Sequence, residues 1–396
     1  MSHIRNLFFL HQAQTSPTPF VIEVEKAEGV FIFDKTGKKY LDLISGIGVS
    51  NVGHGAPEIV TAIQQQAAKY LHTMVYGEHI HEIPVLFAEK IVSQLNNALQ
   101  VVYFVNSGAE AVEGALKVAK KYTGRTGLIA FNNAYHGSTH GALSVTDSWV
   151  KEGYDGLLPD VKHISFNHFA ELEQITDGTA AVIIEPIQGE AGIRLPQKGF
   201  LAALRSRCNE TGSVLIFDEI QTGFGRTGSL FAHQHLGVEP DILLSAKGLG
   251  GGMPLGAFIG KREIMAVITQ NPILGHITTF GGHPVCCAAG MAALDKILNE
   301  NLLAKMPAKA EIIRNSLTHS AIQEVRGMGF MWAVELETFE HTLAVVEQAM
   351  QKGVMTDWFL NCGTALRIAP PLTISESELT WGMGVLNEAI AVVSRR

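Results

Sequence analysis

The stretch VVYFVNSGAEAVEGALKVAKKY, residues 101–122, decides how the fold is interpreted. Its apolar run to Val105 predicts a strand buried on both faces, residues 106–108 predict a turn, and the apolar positions that follow have helical spacing. Three later runs, GLIAF, AAVIIEP and SVLIFDE, are also continuous, apolar and bounded by turn residues. Such strands, alternating with helical segments, are typical of a mainly parallel sheet covered by helices. The sequence therefore predicts an α/β fold.

The two ends of the chain show a different pattern. Near the N-terminus, VFIFDKTGKKYLDL predicts two short strands around a Lys-Thr-Gly turn. Towards the C-terminus, VRGMGFMWAVEL and ALRIAPPL predict strands, and ELTWGMGVLNEAIAVVS predicts a closing helix. A length of 396 residues exceeds what one core usually organises. We therefore expect a large α/β domain at residues 55–285 and a smaller α+β domain formed by residues 1–54 and 286–396.

Composition and charge argue against several classes of function. The formal net charge is −8 and no basic stripe stands out, which disfavours nucleic-acid binding. No apolar stretch is long enough to span a bilayer, and the N-terminal residues show no signal-peptide cleavage pattern. The four cysteines include a vicinal pair, Cys286-Cys287, which lacks the spacing of a metal site. We expect a cytoplasmic protein with reduced thiols that binds neither membrane nor nucleic acid.

Three glycine-containing segments are candidates for binding phosphate. Gly37-Lys38 and Gly260-Lys261 lack the remaining residues of a nucleotide-binding loop. The segment GFGRTG fits G-x-G-x-x-G, but residues 218–222 separate it from the preceding strand, which disfavours a dinucleotide site. The helix start at residues 107–109 offers unpaired backbone N–H groups and a partial positive charge, which suit a phosphate. Serine is also a common helix N-cap, so a capped helix without a ligand is the alternative there.

The chemically informative segments follow one another in a specific order. The segments NSGAEA, EPIQGE, IFDEIQTGFGRTG, PDILLSAKGLGGGMPLGA and TTFGGHP resemble successive signatures of the class III pyridoxal-phosphate-dependent aminotransferases. Acetylornithine, ornithine and 4-aminobutyrate aminotransferases belong to this family, and the resemblance covers essentially the whole chain. It implies transferase fold type I, with a large domain built on a mainly parallel sheet, and pyridoxal 5′-phosphate (PLP) as cofactor.

The resemblance also implies residues that hold the cofactor. PLP is an aldehyde, so an amine of the protein must bind it covalently, and Lys247 matches that amine. The freed amine then moves a proton at the substrate carbon. Asp218, at the end of the run VLIF, matches the carboxylate that keeps the ring nitrogen protonated, and Gln221 matches the residue that bonds the phenolic oxygen.

Other parts of the chain match the remaining cofactor contacts. Ser107, Gly108 and Ala109 match the phosphate site, and Tyr135 matches the aromatic residue that stacks on the ring, with a core aromatic as its alternative. His136 is expected to serve in packing or loop hydrogen bonding. Thr279 matches the threonine that reaches the phosphate of the neighbouring subunit, which implies a homodimer with composite active sites.

Substrate recognition is implied for a second group of residues. Arg367 in LRIAPPL and Glu190 in EPIQGE match an arginine that binds a carboxylate and a glutamate that masks it. Ile47 stands where ornithine aminotransferases have a substrate-contacting tyrosine. Ser138 stands where many family members have a carboxylate-binding arginine. Arg194 is a candidate replacement, with a solvated arginine without this role as the alternative. Glu185 also matches a family position, to which we assign a structural role.

These matches predict an ω-aminotransferase that passes the terminal amine of an ornithine, acetylornithine or 4-aminobutyrate-like donor to a 2-oxo acid, with 2-oxoglutarate preferred, by a ping-pong mechanism. A diamine or simple ω-amine transaminase using pyruvate or 2-oxoglutarate, and an aminomutase of the same family, are the enzyme alternatives. A non-enzymatic protein of the same fold would not need Lys247, so the presence of this lysine favours an enzyme. The histidines of YLHTMVYGEHIHE lack a completing carboxylate set, and we expect no metal.

Overall fold

The computed structural model of the chain describes residues 2–75, 77–96 and 98–395. Its β-strands are β1 Val24–Glu28, β2 Phe31–Asp34, β3 Lys39–Asp42, β4 Val101–Val105, β5 Gly127–Phe131, β6 Val161–Ile164, β7 Thr179–Ile184, β8 Val214–Asp218, β9 Ile242–Ser245, β10 Gly256–Gly260, β11 Glu324–Met328, β12 Met331–Glu335, β13 Val354–Met355, β14 Trp358–Phe359 and β15 Cys362–Ile368.

The α-helices are α1 His3–His11, α2 Ser45–Gly48, α3 Pro57–Lys69, α4 Glu82–Ser93, α5 Gly108–Thr123, α6 His140–Val145, α7 Phe200–Thr211, α8 His233–Leu236, α9 Arg262–Met265, α10 Pro284–Asn299, α11 Leu302–Ser316, α12 Phe339–Gln351 and α13 Glu376–Val393. Short 3₁₀ helices cover Trp149–Lys151, Phe169–Gln174, Lys247–Gly250 and Ala266–Thr269. Among the described helices, none combines the length and the apolar character that crossing a membrane requires.

A seven-stranded sheet forms the centre of the molecule, in the order β4-β10-β9-β8-β7-β5-β6. β10 runs antiparallel to both of its neighbours, and the other strands are parallel to one another. The prediction of a mainly parallel sheet is therefore confirmed. β10 has no clear signal in the sequence, because its five residues, GAFIG, begin and end with glycine.

The central strands are buried on both faces, as their continuous apolar runs predicted. Every residue of β7 and of β8 is buried. Successive side chains of a strand point to opposite faces, so Leu215 and Phe217 join one hydrophobic cluster and Ile216 joins another, against Val112 and Ala115 of α5. Helices therefore cover the sheet on both sides, which fixes the ends of the strands and the loops that follow them.

The two ends of the chain meet in the smaller sheets. β3 pairs in parallel with β13, which places residues 39–42 beside 354–355 in the sheet β1-β2-β3-β13. A separate antiparallel sheet has the order β11-β12-β15-β14. This pairing agrees with a smaller domain made from both chain ends. The boundary between this smaller domain and residues 55–285 stays a prediction, because Phe217 of the large sheet and Leu366 of the small one belong to the same hydrophobic cluster.

Candidate active site

A cavity of about 640 Å³ lies at the edge where the parallel strands end. The carboxyl ends of parallel strands are the usual place for a ligand site in an open α/β sheet. Residues singled out by the sequence line this cavity together: Ser107, Gly108, Ala109, Tyr135, His136, Ser138, Glu185, Glu190, Asp218, Gln221 and Lys247. The loops after β4, β5, β7, β8 and β9 supply these residues, which are far apart in sequence.

The N-terminus of α5 opens onto the cavity. Ser107 is the N-cap, and its hydroxyl accepts a hydrogen bond from the backbone N–H of Glu110 at 3.2 Å. A Cβ added to Gly108 would lie 2.8 Å from Ile220, so this glycine allows the helix to start close to the end of β8. The helix is thus capped and also presents its positive end to the cavity, which suits an anionic group.

A buried carboxylate–imidazole pair stands at the end of β8. Asp218 Oδ2 lies 2.7 Å from His136 Nδ1, and Asp218 Oδ1 accepts the backbone N–H of Ile220 at 3.0 Å. The backbone N–H of His136 donates to Thr146 Oγ1 at 2.9 Å. These contacts fix the direction of the Asp218 carboxylate, and they place His136 in the hydrogen bonding of this loop.

Glu185 joins two loops beneath the cavity. One carboxylate oxygen accepts the backbone N–H of Tyr135 at 3.0 Å, and the other accepts that of Gly189 at 2.8 Å. Burial raises the pKa of Glu185 to about 7, although nearby His136 favours the ionised form. Glu185 therefore ties the loop of Tyr135 to the loop of Glu190, and it lines the cavity besides having a structural role.

Lys247 follows β9 in a left-handed backbone conformation. Its φ is +49°, which for a residue with a Cβ costs about 1–3 kcal/mol and is found mainly at functional positions. Gly248 makes the close packing possible, since a Cβ there would lie 2.5 Å from the Asn51 side chain. Burial lowers the pKa of the Lys247 amine, while the charge of Glu190 opposes this effect. A lowered pKa increases the fraction of the neutral, nucleophilic amine.

Arg367 on β15 lies behind Glu190. The guanidinium donates two hydrogen bonds to the Glu190 carboxylate, each of 3.0 Å, and Arg367 Nε donates to Asp357 at 2.9 Å. Burial disfavours the ionised form of Glu190, but the attraction of Arg367 outweighs this effect and lowers the pKa of Glu190 to about 2. Glu190 lines the cavity and Arg367 does not, so the carboxylate separates the arginine from the cavity.

Three residues from the sequence analysis lie elsewhere. Thr279 is exposed, and its carbonyl accepts a hydrogen bond from His72 Nε2 at 2.8 Å. Ile47 has a φ of +61° and lines a separate, much smaller cavity together with Gln221 and Arg367. Arg194 is exposed and donates from Nε to the carbonyl of Ala191 at 3.2 Å. Arg194 does not line the cavity that contains Ser138, and its role as a replacement stays a prediction.

The family assignment follows from comparison with known proteins. A model of the family Aminotransferase class-III matches residues 12–390 of the chain. This chain is a class III aminotransferase. It is 40% identical to the acetylornithine aminotransferase of Methanopyrus kandleri over 379 residues, 94% of this chain and 95% of the relative. It is also 40% identical to that of Methanocaldococcus jannaschii over 390 residues, 95% of this chain and 94% of the relative.

The class III aminotransferase fold is equally clear in three dimensions. The chain superposes on the ornithine aminotransferase of Toxoplasma gondii, a structure with partial occupancy of PLP at its active site, with a TM-score of 0.92 and 28% identity. The superposition covers 99% of this chain and 94% of that chain. The fold and the family predicted from the sequence are thus confirmed, and PLP is the cofactor of this aminotransferase.

The cavity of this aminotransferase fits PLP. Within the described residues, Gln221 Oε1 and His136 Nε2 are buried side-chain atoms without a hydrogen-bond partner. The start of α5 suits a phosphate, and Lys247 is an amine held close to Asp218 in the same cavity. Among the described residues, no group of three or more His, Cys, Asp or Glu side chains is placed to hold a metal ion.

Sequence reasoning missed several residues at the site. Asp357 holds Arg367 at 2.9 Å, and the two meet because β14 and β15 pair as a hairpin. The one signal for this hairpin in the sequence is the turn-forming Asn361, which lies between the apolar runs WFL and TALRI. The cavity is also lined by residues that carried no chemical signal of their own: Val49, Asn106, Gly137, Ile220, Ala246, Gly252, Met253, Pro254 and Leu255.

Proposed function

We propose that this aminotransferase moves the terminal amino group of an ω-amino donor to a 2-oxo acid by a ping-pong mechanism. The donor is of the ornithine, acetylornithine or 4-aminobutyrate type. The two relatives named acetylornithine aminotransferase make N-acetylornithine the first donor to test. The observation that carries the proposal is the bidentate contact between Arg367 and Glu190 at the cavity wall.

The Arg367–Glu190 contact suits a site that accepts two kinds of substrate in turn. A terminal amine arrives on a carbon without a carboxylate, so Glu190 can stay on Arg367 and keep it neutralised. A 2-oxo acid brings a carboxylate next to the reacting carbon, and this group takes the place of Glu190 on the guanidinium. Asp357 holds Arg367 Nε in both halves of the cycle, so the arginine keeps its position when Glu190 leaves.

We assign the cofactor contacts as follows. Ser107, Gly108 and Ala109 would hold the phosphate, Asp218 would keep the ring nitrogen protonated, and Gln221 would bond the phenolic oxygen. When bound, PLP supplies an electron sink that stabilises negative charge at the reacting carbon. His136 supports this role indirectly, since it fixes the direction of the Asp218 carboxylate at 2.7 Å.

Tyr135 and Lys247 complete the site on this proposal. Tyr135 would pack on the cofactor ring, and Glu185 holds its backbone N–H. Lys247 would hold the cofactor through its amine, and the same amine would take and return a proton at the substrate carbon. The lowered pKa of Lys247 suits both roles, because an amine acts as a nucleophile and as a proton acceptor only in its neutral form.

We further propose a cytoplasmic homodimer in which Thr279 contacts the phosphate of the neighbouring subunit. Thr279 is exposed, and exposed apolar side chains flank it, including Ile277 at 48% and Phe280 at 55% relative exposure. A second exposed pair, Leu71 and Ile80, lies in the segment YLHTMVYGEHIHE, residues 70–82. Clustered exposed apolar side chains of this kind are typical of protein interfaces. The cytoplasmic assignment rests on the free cysteines.

The test is a screen of donors against acceptors with the PLP-loaded enzyme. Ornithine, N-acetylornithine, 4-aminobutyrate, putrescine and lysine are each paired with 2-oxoglutarate and with pyruvate. An aldehyde product that forms only in the presence of a 2-oxo acid supports ω-transamination. An isomerised product without any co-substrate would show an aminomutase instead.

A further inference from the structure

The loop between β5 and α6 carries two of the residues assigned to the cofactor, Tyr135 and His136. Two contacts at the cavity hold this loop, since Glu185 accepts the backbone N–H of Tyr135 and Asp218 bonds the His136 ring. A third contact comes from Glu113, which lies in the second turn of α5 and does not line the cavity. The mechanism proposed above gives this buried-side carboxylate no role.

Three hydrogen bonds join Glu113 to the end of the loop and the start of α6. The Glu113 Oε1 atom accepts the Thr139 hydroxyl at 2.6 Å, and it accepts the backbone N–H groups of Gly141 at 2.8 Å and Ala142 at 3.3 Å. Thr139 is the N-cap of α6, but its side chain makes no capping bond to this helix. Because the first N–H groups of a helix have no partner within the helix, Glu113 caps α6 from outside. Its negative charge also suits the positive end of α6.

Two glycines allow the loop and α6 to lie directly on α5. A Cβ added to Gly141 would overlap the Glu113 carboxylate. Gly137 has a φ of +129°, and a Cβ there would lie 2.8 Å from the Ala109 side chain at the start of α5. The contact between α5 and the loop is therefore tight at both places.

α6 connects the Glu113 contact with the residues of the cavity. Every residue from 141 to 146 is buried, so this segment is held firmly in the core. The hydroxyl of Thr146, directly after α6, accepts the backbone N–H of His136 at 2.9 Å. His136 in turn orients the Asp218 carboxylate. Glu113 at one end of α6 is thus linked to the cavity through the other end.

We infer that Glu113 is a positioning residue for the cofactor, which holds the loop of Tyr135 and His136 in register with the phosphate seat at residues 107–109. The inference rests on the cofactor contacts of the proposed function. Both the phosphate seat and Glu113 belong to α5, so one helix carries the seat and the anchor of the loop. Without Glu113 the loop would sample other positions. The apparent affinity for PLP then falls with the fraction of molecules in which the loop is in place.

The first test measures the dissociation constant of PLP with the apoenzyme of two Glu113 variants. Glu113→Ala should raise this Kd roughly tenfold or more, because a hydrogen bond to a charged group is worth at least about that factor. Glu113→Gln keeps an oxygen that can accept all three hydrogen bonds, and it should raise the Kd less than about threefold. An unchanged Kd in folded Glu113→Ala, or an equal loss in both variants, would overturn the inference.

Glu378→Ala is the control for a general loss of stability. The Glu378 carboxylate accepts the backbone N–H of Ser375 at 2.8 Å in the capping box of α13, and Glu378 does not line the cavity. Its removal should lower the urea midpoint, as Glu113→Ala does, and should leave the Kd of PLP within about twofold of the wild-type value. A comparable loss of PLP affinity in Glu378→Ala would show that lowered stability alone weakens PLP binding, and it would also overturn the inference.

Gly141→Ala tests the same contact without removing a polar group. The added methyl group would push the Glu113 carboxylate aside, so the Kd of PLP should rise roughly fivefold or more. In a Glu113→Ala background this space is open, and the same substitution should change the Kd less than about twofold. Fully additive effects of the two substitutions would contradict the role of this contact.

Borohydride labelling of each variant tests the proposed function separately. The cofactor should be fixed to Lys247 in the wild type and in every Glu113 variant saturated with PLP. A label elsewhere in the wild type would overturn the proposed function. If Lys247 carries the label and Glu113→Ala binds PLP as tightly as the wild type, the role of Glu113 alone is refuted.

Discussion

Replacing Glu190 by glutamine should shift the enzyme from terminal amines towards α-amino acids. The pKa of Glu190 is lowered from 4.5 to about 2, chiefly by Arg367 working against burial, which corresponds to about 3 kcal/mol of favourable interaction. A substrate carboxylate that binds Arg367 must displace that interaction. Removing the charge at Glu190 lowers the free-energy cost of this displacement. A cost of 3 kcal/mol corresponds to roughly a hundredfold in the affinity of Arg367 for a substrate carboxylate.

The assay measures the half-reaction of each donor with the PLP-loaded enzyme, without an acceptor. Alanine represents α-amino donors, and N-acetylornithine represents terminal amines. We expect Glu190→Gln to raise the ratio of kcat/KM for alanine to that for N-acetylornithine by roughly ten- to a hundredfold, since part of the interaction is retained by the amide. Asp357 still holds Arg367 Nε in this variant, so the arginine stays in place.

Glu335→Gln is the matched control for this prediction. Glu335 accepts a hydrogen bond from Arg326 Nη2 at 2.6 Å in an ion pair that does not line the cavity. Its loss should lower stability and leave the donor ratio within about twofold of the wild-type value. If Glu190→Gln also left the ratio unchanged, Arg367 would not be the carboxylate-binding residue, and the mechanism proposed for the two halves of the cycle would be wrong.

Three further predictions follow from the same contacts. Asp218→Asn should lower kcat by roughly a hundredfold or more while PLP still binds, because the ring nitrogen loses its anionic partner; an unchanged kcat with bound PLP would contradict this role. In the apoenzyme, Glu185 has its pKa raised from 4.5 to about 7, so its contribution to stability is present below pH 4.5 and is lost as the pH rises through 7. Glu185→Gln should therefore remove about 3 kcal/mol of pH-dependent stability between pH 5 and 8, measured by urea unfolding, and an unaltered pH dependence would refute the assignment. Phe280→Glu should give a monomer by sedimentation with weaker PLP affinity; an unchanged dimer would exclude this surface as the interface.

The sequence predicted the parts of the fold that local patterns control. The run VVYFV became β4, and Ser107 became the N-cap of α5. That the candidate cofactor residues lie together could also be predicted, since they are at or after the ends of strands and parallel strands end at one edge of the sheet. The positions of Asp218 and Lys247 illustrate this rule, because Asp218 ends β8 and Lys247 follows the adjacent strand β9.

Contacts between distant segments could not be predicted in the same way. Asp357 meets Arg367 only through the hairpin of β14 and β15, whose register depends on packing of the whole sheet. The exposed position of Arg194 depends on its turn, where its side chain bonds a carbonyl three residues earlier. The left-handed backbone of Lys247 likewise has no sequence signal, because the surrounding structure imposes it.

The central claim, that Lys247 binds PLP covalently in a class III aminotransferase, has a direct test. Borohydride reduction of the PLP-loaded enzyme fixes the cofactor to the amine that holds it, and peptide mass spectrometry identifies that amine. We predict the cofactor mass on the peptide that contains Lys247, and we predict that Lys247→Ala loses both this label and steady turnover. A label on another lysine of the wild-type enzyme, or sustained turnover by Lys247→Ala, would contradict the account.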